Sequence, residues 1–430
     1  MRTLACSMFV VLLAALSLQA QTGSTLTRPS LPKPEQLHKM GLRQRWHASV
    51  PMAGMRDRVD YAQAFDTQVL VQTASGGVAA FDAETGALQW TIRLGRPYRS
   101  QHLPAAANRY TFCIGTGLTL YGVDRRTGLT QWSLDTPGIL STSVGIDDLR
   151  CYAPTVDGEV YAYVLPLSKQ AYEARFGADP QGQGAFVSND PISNPTTLRI
   201  PIKLWDFQTD SVVSQPPVLL STHVVFANKA GVLYSFERDR NRLGDRFYSR
   251  GPITAPIGQQ ENDLYVASED YNVYNIELVG ARLALRWQAT LHSRILDKPI
   301  VADKELFVVG LDQGLFCMDR FDGALKWRQP EASKYVASNK RMVFAKDRFG
   351  NLLCLDRAKG KVINTWDTRA WGHLVLNEYN DRLYLVSHDG QLLCLHDHAP
   401  EYAKPYKHNA APPKEEKKAP EGEAKEEMDK

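Results

Sequence analysis

Short apolar runs alternate with Asp- and Gly-containing turns along most of the chain. The stretch from Leu311 to Trp327 shows this order most clearly: a Gly turn, an apolar run, a second Gly turn and then a Trp. Two short strands joined by a tight turn, with the Trp on the second strand, produce such an order. A single hairpin is only marginally stable in water, because it cannot bury its own apolar face. The pattern therefore predicts a fold built from many copies of this unit.

An aromatic residue recurs at the same place in each copy, at intervals of about 40 residues with a single exception. These positions are Trp46, Trp90, Trp132, Trp205, Phe247, Trp287, Trp327 and Trp366. The turn glycines have the same period, but no turn precedes the first Trp, and no Trp follows the last turn, at Gly390. The simplest solution is circular, with the strand at Trp46 completing the last unit. We therefore predict an all-β fold over residues 41–399, a single eight-bladed propeller of four-stranded antiparallel blades closed by its N-terminal strand.

The regions outside the repeats have compositions of their own. Residues 1–20 carry one Arg before an apolar run, which is typical of a secretory signal, either cleaved or retained as an anchor. Residues 21–40 are rich in Pro, Thr and Ser and predict an extended lead-in. Residues 166–200 predict a loop insertion in the third repeat, and residues 400–430 a disordered charged tail. We expect an exported protein, periplasmic or extracellular, with no membrane span after the signal.

Composition narrows the classes of function. The net charge is +3 over 430 residues, which gives no electrostatic case for binding nucleic acid. No G-x-S-x-G, H-E-x-x-H or phosphate-loop motif is present in the sequence. The one tight histidine group, His396 and His398, lies where the last strand ends and is better explained as a solvated chain end than as a metal site. We expect a monomer without catalytic, cofactor-binding or metal-binding residues.

The cysteines follow the repeat. Cys317, Cys354 and Cys394 occupy the same place in three successive units, and Cys113 and Cys151 share another place. A repeated position of this kind predicts small buried packing residues. Equivalent strands of adjacent blades also come close to each other, so a disulfide between Cys113 and Cys151 is an open alternative.

The repeat D-x-x-T-G-x-x-x-W at Asp82–Trp90 and Asp124–Trp132 resembles that of the pyrroloquinoline-quinone (PQQ)-type propellers, and the resemblance extends over roughly Leu42–His398. It implies that the Trp side chains stack between neighbouring blades, where each buries on the order of 150–250 Å². The tryptophans expected to do so are Trp46, Trp90, Trp132, Trp205, Trp287, Trp327 and Trp366.

This superfamily contains quinone-dependent dehydrogenases and also non-enzymatic binding scaffolds such as the BamB group. The dehydrogenases resemble one another in an adjacent Cys-Cys pair over the cofactor, and this chain has neither that pair nor a C-x-x-C-H haem motif. Its length and its single bare propeller are similar to the BamB group, although the lipobox of that group is missing. The resemblance implies a non-catalytic exported scaffold that binds a partner protein through its loops, for example in envelope assembly. The alternative is a PQQ-binding oxidoreductase or a ligand sensor.

Cationic and aromatic residues recur in the segments that lead from each Trp strand to the next inner strand. Such segments open near the axis on one face of a propeller. The candidate residues for a ligand or partner face are Arg96, Tyr98, Arg99, His102, Arg250, His292, Arg294, Arg369, Trp371 and His373. If they converge, the mouth of the channel suits a carboxylate, an acidic peptide or an anionic glycan. The alternative is that they only solvate exposed loops.

Overall fold

The structure, a computed structural model, describes residues 29–98, 102–166 and 200–408. Within these ranges the chain forms eight four-stranded sheets, arranged as the blades of a propeller. In each blade, consecutive strands pair antiparallel, and we label them A to D from the axis to the rim. This confirms the predicted all-β eight-bladed propeller.

The elements follow the chain in order. The helix α1 (Pro34–Lys39) precedes the strand β1 (Leu42–Ser49). Blade 1 comprises β2 (Val59–Ala64), β3 (Gln68–Thr73), β4 (Gly77–Asp82) and β5 (Leu88–Arg93). Blade 2 comprises β6 (Ala106–Ala107), β7 (Thr111–Thr116), β8 (Thr119–Asp124) and β9 (Thr130–Asp135). Blade 3 comprises β10 (Gly145–Ile146), β11 (Arg150–Pro154), β12 (Glu159–Val164) and β13 (Ile202–Gln208). Blade 4 comprises β14 (Val218–Leu219), β15 (His223–Ala227), β16 (Val232–Glu237) and β17 (Leu243–Tyr248).

The second half repeats this order. Blade 5 comprises β18 (Gly258–Gln260), β19 (Asp263–Ala267), β20 (Asn272–Val279) and β21 (Arg282–Thr290). Blade 6 comprises β22 (Ile300–Ala302), β23 (Glu305–Gly310), β24 (Gly314–Asp319) and β25 (Leu325–Gln329). Blade 7 comprises β26 (Ala332–Ser338), β27 (Met342–Asp347), β28 (Asn351–Asp356) and β29 (Val362–Asp367). Blade 8 comprises β30 (His373–Val375), β31 (Leu383–Val386) and β32 (Gln391–Asp397), with β1 as its outer strand.

The ring closes through the two ends of the chain. Strand β1 pairs antiparallel with β32, placing Leu42 opposite Asp397, Trp46 opposite Cys394 and Ser49 opposite Gln391. An open sheet would leave unpaired edges, and closure by the first strand removes one of them. The circular arrangement that the sequence predicts is thus confirmed.

Antiparallel order decides which loops share a face of the ring. The DA/BC face holds the connections from each D strand to the next A strand, together with the eight B-to-C turns. These turns are residues 74–76, 117–118, 155–158, 228–231, 268–271, 311–313, 348–350 and 387–390. The AB/CD face, at the other end of the strands, holds the A-to-B and C-to-D turns. The predicted insertion at residues 166–200 joins a C strand to a D strand and therefore starts and ends on the AB/CD face.

Tryptophan side chains of the D strands reach across to the next blade. The indole N–H donates a hydrogen bond to a backbone carbonyl there at 2.7–3.5 Å; the pairs are Trp46 with Ala83, Trp90 with Arg125, Trp205 with Arg238, Trp287 with Arg320 and Trp327 with Arg357. A glycine in the next C-to-D turn makes room for the ring: a Cβ on Gly360 would lie 2.3 Å from Trp327. Trp132 is buried between blades 2 and 3, and Trp366 is partly buried against blade 8.

The cysteines are packing residues in this structure. The five described cysteines are free thiols and all are buried. Cys113 and Cys151 lie on the B strands of adjacent blades in one apolar cluster and form no disulfide. Burial, reinforced by this neighbour, raises the pKa of Cys151.

Two segments differ from the expected extended or flexible chain. Residues 34–39 are helical, because Pro34 starts the helix and Leu37 buries its side chain between blades 7 and 8. Residues 400–408 pack on the AB/CD face, where Tyr402 is buried and the Tyr406 hydroxyl donates to Asp303 at 2.9 Å. The charged composition that begins at residue 400 therefore does not mark the end of the packed chain.

Several predicted features lie outside the described residues. They are the signal at residues 1–20, the interior of the insertion at residues 167–199, Arg99, and the tail at residues 409–430. In the part of the chain that the structure describes, no helix has the length and apolar character that a membrane crossing requires.

Candidate functional site

A channel of about 770 Å³ runs along the axis of the ring. Its described walls are the A strands of blades 1 to 5 and the residues beside them, together with Lys298 before the A strand of blade 6 and residues 376, 378 and 379 after that of blade 8. Ala, Pro and Gln are the most frequent residues in this lining. Glu378 is the one carboxylate among the described lining residues, and its oxygen lies 2.7 Å from the Lys298 ammonium. The channel therefore offers a mostly uncharged lining with one internally neutralised ion pair.

Large apolar side chains project from the DA/BC face. They come from the connections and B-to-C turns or from the strand ends next to them, and they are distributed around most of the ring. These residues are Met55, Tyr98, Leu118, Ile139, Val156, Tyr248, Tyr271, Leu296, Leu311 and Phe349. Phe349 is 72% exposed and Tyr248 is 63% exposed. We call these ten residues the apolar ring.

A carboxylate at the base of one of these turns fixes the direction of Phe349. In blade 7, one carboxylate oxygen of Asp347 accepts the backbone N–H groups of Phe349 and Asn351, both at 2.8 Å. Burial opposes ionisation of Asp347, but hydrogen bonds from Asn351 and the turn backbone overcome this and lower its pKa. The charged carboxylate thus holds the turn, and Phe349 is left pointing away from the protein.

A second group of exposed apolar residues lies elsewhere, at the C-to-D turns and along the outer strands. It includes Leu88, Leu129, Phe321 and Leu325. Phe321 is 60% exposed on the AB/CD face. This group follows the rim, whereas the apolar ring extends over the loops of one face.

The cationic and aromatic residues predicted for this face fall into two sets. Those exposed in the D-to-A connections are Arg96, Tyr98, Arg250, His292, Arg294 and Arg369. They come from four different connections, and Arg369 hydrogen-bonds the carboxylate of Asp367 two residues away, at 2.6–3.1 Å. Their convergence on a ligand remains a prediction.

His102 and Trp371 are buried rather than exposed. Trp371 lies in the apolar cluster between blades 7 and 8. His102 forms a β-bridge with Thr116, and neither of its ring nitrogens has a hydrogen-bond partner in the described structure. Burial lowers the pKa of His102, although Asp60 opposes the change. Because His102 and Trp371 lie in the connections between blades, the sequence suggested that they are exposed. In the structure both side chains are buried.

His373 leads to a cluster that the sequence analysis missed. Its ring lies 5.0 Å from that of His388, and its Nε2 lies 3.3 Å from the carbonyl oxygen of Val59. On the neighbouring blade, Lys334 of β26 and Lys346 of β27 are direct partners across the two strands. All four basic side chains lie toward the DA/BC face. The signal in the sequence is a Lys inside each of two largely buried strands, ASKYVAS and MVFAKD.

Arginines that tie one blade to the next were also missed. Arg357 follows a C strand of blade 7 and reaches back to Glu305 at 2.6 Å and Asp303 at 3.0 Å in blade 6. Arg125 makes the same kind of contact from blade 2 to Asp66 of blade 1, at 2.7 Å. In the sequence, an Asp stands directly before each of these arginines and recurs with the blades. That repetition could have revealed the contacts between blades.

Comparisons with known proteins agree with this architecture. Residues 16–196 and 203–340 match the family described as outer membrane protein assembly factor BamB. A curated relative with that name, from Moranella endobia (strain PCIT), is 25% identical over 145 residues. The aligned part covers 30% of this chain and 37% of the relative, so the chain matches well under half of the relative's length.

Solved structures of low sequence identity share the fold. The crystal structure of BamB from Moraxella catarrhalis has a TM-score of 0.60 at 14% identity, covering 83% of this chain and 99% of that one. The computationally designed Ika8 protein has a TM-score of 0.59 at 14% identity, with coverage of 80% and 98%. Because the family match extends over most of the residues, the chain belongs to the family of the outer membrane protein assembly factor BamB.

Proposed function

We propose that this protein is an exported, non-catalytic scaffold that binds a partner protein of the cell envelope through the DA/BC face. The propeller provides a rigid ring, and the loops of one face present side chains for recognition. The family supports an envelope role, since the relatives found are named as outer membrane protein assembly factors.

The apolar ring is the observation that carries this proposal. Ten large apolar side chains are exposed on one face, with Arg96, Arg250 and Arg294 exposed among them. Exposed apolar residues scattered singly over a surface need no explanation. Here they recur in many loops of one face, so a partner seated on that face could bury several of them at once. Protein interfaces are enriched in Tyr, Phe, Met and Arg, and these residue types are present here.

Affinity capture from an envelope extract tests the proposal. The full chain, a Phe349→Ser and Tyr248→Ser double variant and a Phe321→Ser control are each immobilised, and the bound proteins are identified by mass spectrometry. Phe321 is matched in residue type and is similarly exposed, but it lies on the AB/CD face. We expect one envelope protein to be retained by the wild type and the control and lost by the double variant.

The proposal fails if the double variant retains the same partner as the wild type. It fails equally if Phe321→Ser removes the partner, because the rim or the AB/CD face would then carry the interaction. Circular dichroism of each variant shows whether the propeller is intact, since exposed Phe and Tyr side chains contribute little to folding.

A further inference from the structure

The lysine pair, Lys334 and Lys346, is placed in an unfavourable arrangement. The two residues lie directly opposite each other on β26 and β27, and like charges in that position destabilise a sheet. Lys334 is exposed, whereas Lys346 is half-buried. Burial lowers the pKa of Lys346, and the positive charge of Lys334 lowers it further, against a smaller opposing effect of Asp347.

Two imidazoles add to this concentration of basic groups. His373 and His388 contact each other at 5.0 Å between ring centres on blade 8. Burial lowers the pKa of His373, and the charged neighbours that lower it further are His388, Lys346 and Lys334. Gly372 makes room for this contact, because a Cβ there would lie 2.3 Å from the His388 ring. The lysine pair is therefore close enough to the imidazoles to act on His373.

The nearby carboxylates do not neutralise the cluster. Among the described residues, no carboxylate oxygen lies within 4.0 Å of either ammonium of the lysine pair. Asp347 is committed to its own turn through Asn351 and the backbone of Phe349. Burial raises the pKa of Asp297, with Lys334 as the one opposing charge, which disfavours the anionic form of this carboxyl. Positive charge therefore exceeds negative charge around the lysine pair and the two imidazoles.

We propose that the lysine pair, with His373 and His388, forms an anion site that takes a side-chain carboxylate of an acidic peptide segment. The exposed ring of Phe349 projects from the turn that follows Lys346, so a peptide that buries an apolar side chain there places its next residues near the ammoniums. A carboxylate between two ammoniums forms charge-assisted hydrogen bonds and removes the repulsion between them. This inference rests on the proposed function, because the peptide belongs to the partner protein.

The inference is tested without the partner, on the purified full chain. The probe is the blocked peptide acetyl-Phe-Glu-Glu-Gly-amide carrying a fluorophore, and the matched probe has both Glu replaced by Gln. Polarisation titrations use the wild type, Lys346→Gln, Lys334→Gln and the control Lys359→Gln. Lys359 lies in the C-to-D turn of the same blade, on the AB/CD face.

We expect the Glu peptide to bind the wild type and Lys359→Gln equally. Loss of one charge-assisted hydrogen bond weakens binding by about tenfold or more. We therefore expect at least this decrease in affinity when Lys346→Gln or Lys334→Gln binds the Glu peptide, and when the wild type binds the Gln peptide. Without peptide, Lys346→Gln should raise the melting temperature, because it removes the repulsion between the lysines. A merely structural role of Lys346 predicts a lower melting temperature instead.

Three results would overturn the inference: equal binding of the Glu and Gln peptides, unchanged binding by Lys346→Gln, or complete competition by an equal concentration of sodium phosphate. The last result would mean that the cluster selects charge alone. Since the peptide titration needs no partner, its failure is distinguishable from failure of the capture experiment, which depends on Phe349 and Tyr248.

Discussion

The guanidinium of Arg382 donates hydrogen bonds to both carboxylate oxygens of Glu84, each at 3.1 Å. Arg382 directly precedes the B strand of blade 8, and Glu84 lies in the C-to-D turn of blade 1, so the pair spans the seam at which the ring closes. The Arg382 side chain is completely buried. It also donates to the backbone carbonyls of Tyr402 and Ala403, which ties the C-terminal segment to the same point.

Glu84→Gln should destabilise the propeller. The substitution removes the bidentate counter-ion of the buried Arg382. Because Glu84 is 31% exposed and Asp381 stays 3.3 Å from the guanidinium, the cost is about 1–3 kcal/mol. Urea unfolding measures the loss. As a control, Arg242→Met breaks the exposed pair with Glu237, and exposed pairs contribute little to stability. Equal effects of the two substitutions would show that Arg382 and Glu84 do not stabilise the seam.

Gly360→Ala should be more destabilising than Gly280→Ala. Both glycines have a left-handed backbone, with φ of +66° and +63°, so both substitutions carry a similar backbone strain of about 1–2 kcal/mol. A Cβ at Gly280 meets nothing within 4 Å, whereas one at Gly360 would lie 2.3 Å from the Trp327 ring. We expect a further loss of about 2 kcal/mol for Gly360→Ala, from overpacking between blades 6 and 7. If the unfolding midpoints of the two variants coincide, the inter-blade packing of the Trp is not a stabilising contact.

Asp381→Asn should change the dependence of stability on pH. Burial raises the pKa of Asp381 to about 6, although Arg382 and a backbone N–H of Tyr406 oppose the change. A carboxyl whose pKa is raised by folding stabilises the protein at pH values below its ordinary pKa, and this stability is lost as the pH rises through about 6. One unit of pKa shift corresponds to about 1.36 kcal/mol. Between pH 4 and pH 7 the free energy of unfolding of the wild type should therefore fall by up to about 3 kcal/mol relative to that of the variant.

Urea unfolding of both proteins at intervals across that pH range checks this prediction. Other acids contribute equally to the two proteins, so the difference between the curves isolates Asp381. Parallel curves for wild type and Asp381→Asn would mean that the carboxyl titrates normally in the folded protein.

Addition of PQQ with calcium ions should give no stoichiometric complex. A calcium-bound quinone needs several oxygen ligands that converge at the axis. Among the described residues that line the channel, Glu378 is the one carboxylate, and it is already paired with Lys298. An absorbance titration of the purified protein measures binding directly. Saturation at one equivalent would favour the alternative of a quinone-dependent oxidoreductase or sensor.

The ring itself was predictable from the sequence, since each blade repeats the same apolar run, turn and aromatic residue, which is Trp in seven blades and Phe247 in blade 4. The closure of blade 8 by β1 followed from the phase of Trp46 and Gly390. The contact of Arg382 with Glu84 was not predictable, because the two residues are 298 positions apart and Glu84 occupies a variable position of the repeated motif. Only the closed ring brings them together.

The candidate site was predicted in part. The D-to-A connections do carry exposed arginines, but no periodic pattern separates the buried His102 and Trp371 from their exposed neighbours. The lysine pair depends on strand register, and β26 contains irregularities on both sides of Lys334 that shift its partners. A bulge of this kind changes which side chains meet and leaves no clear mark in a single sequence.

The central claim is that the DA/BC face binds a partner protein, and photo-crosslinking in the cell tests it most directly. A photoreactive phenylalanine analogue is placed at Phe349 in one variant and at Phe321 in another, two exposed positions on opposite faces. We predict a crosslinked adduct with one envelope protein from position 349 and none from position 321. An adduct from position 321 alone, or from neither position, would contradict the account.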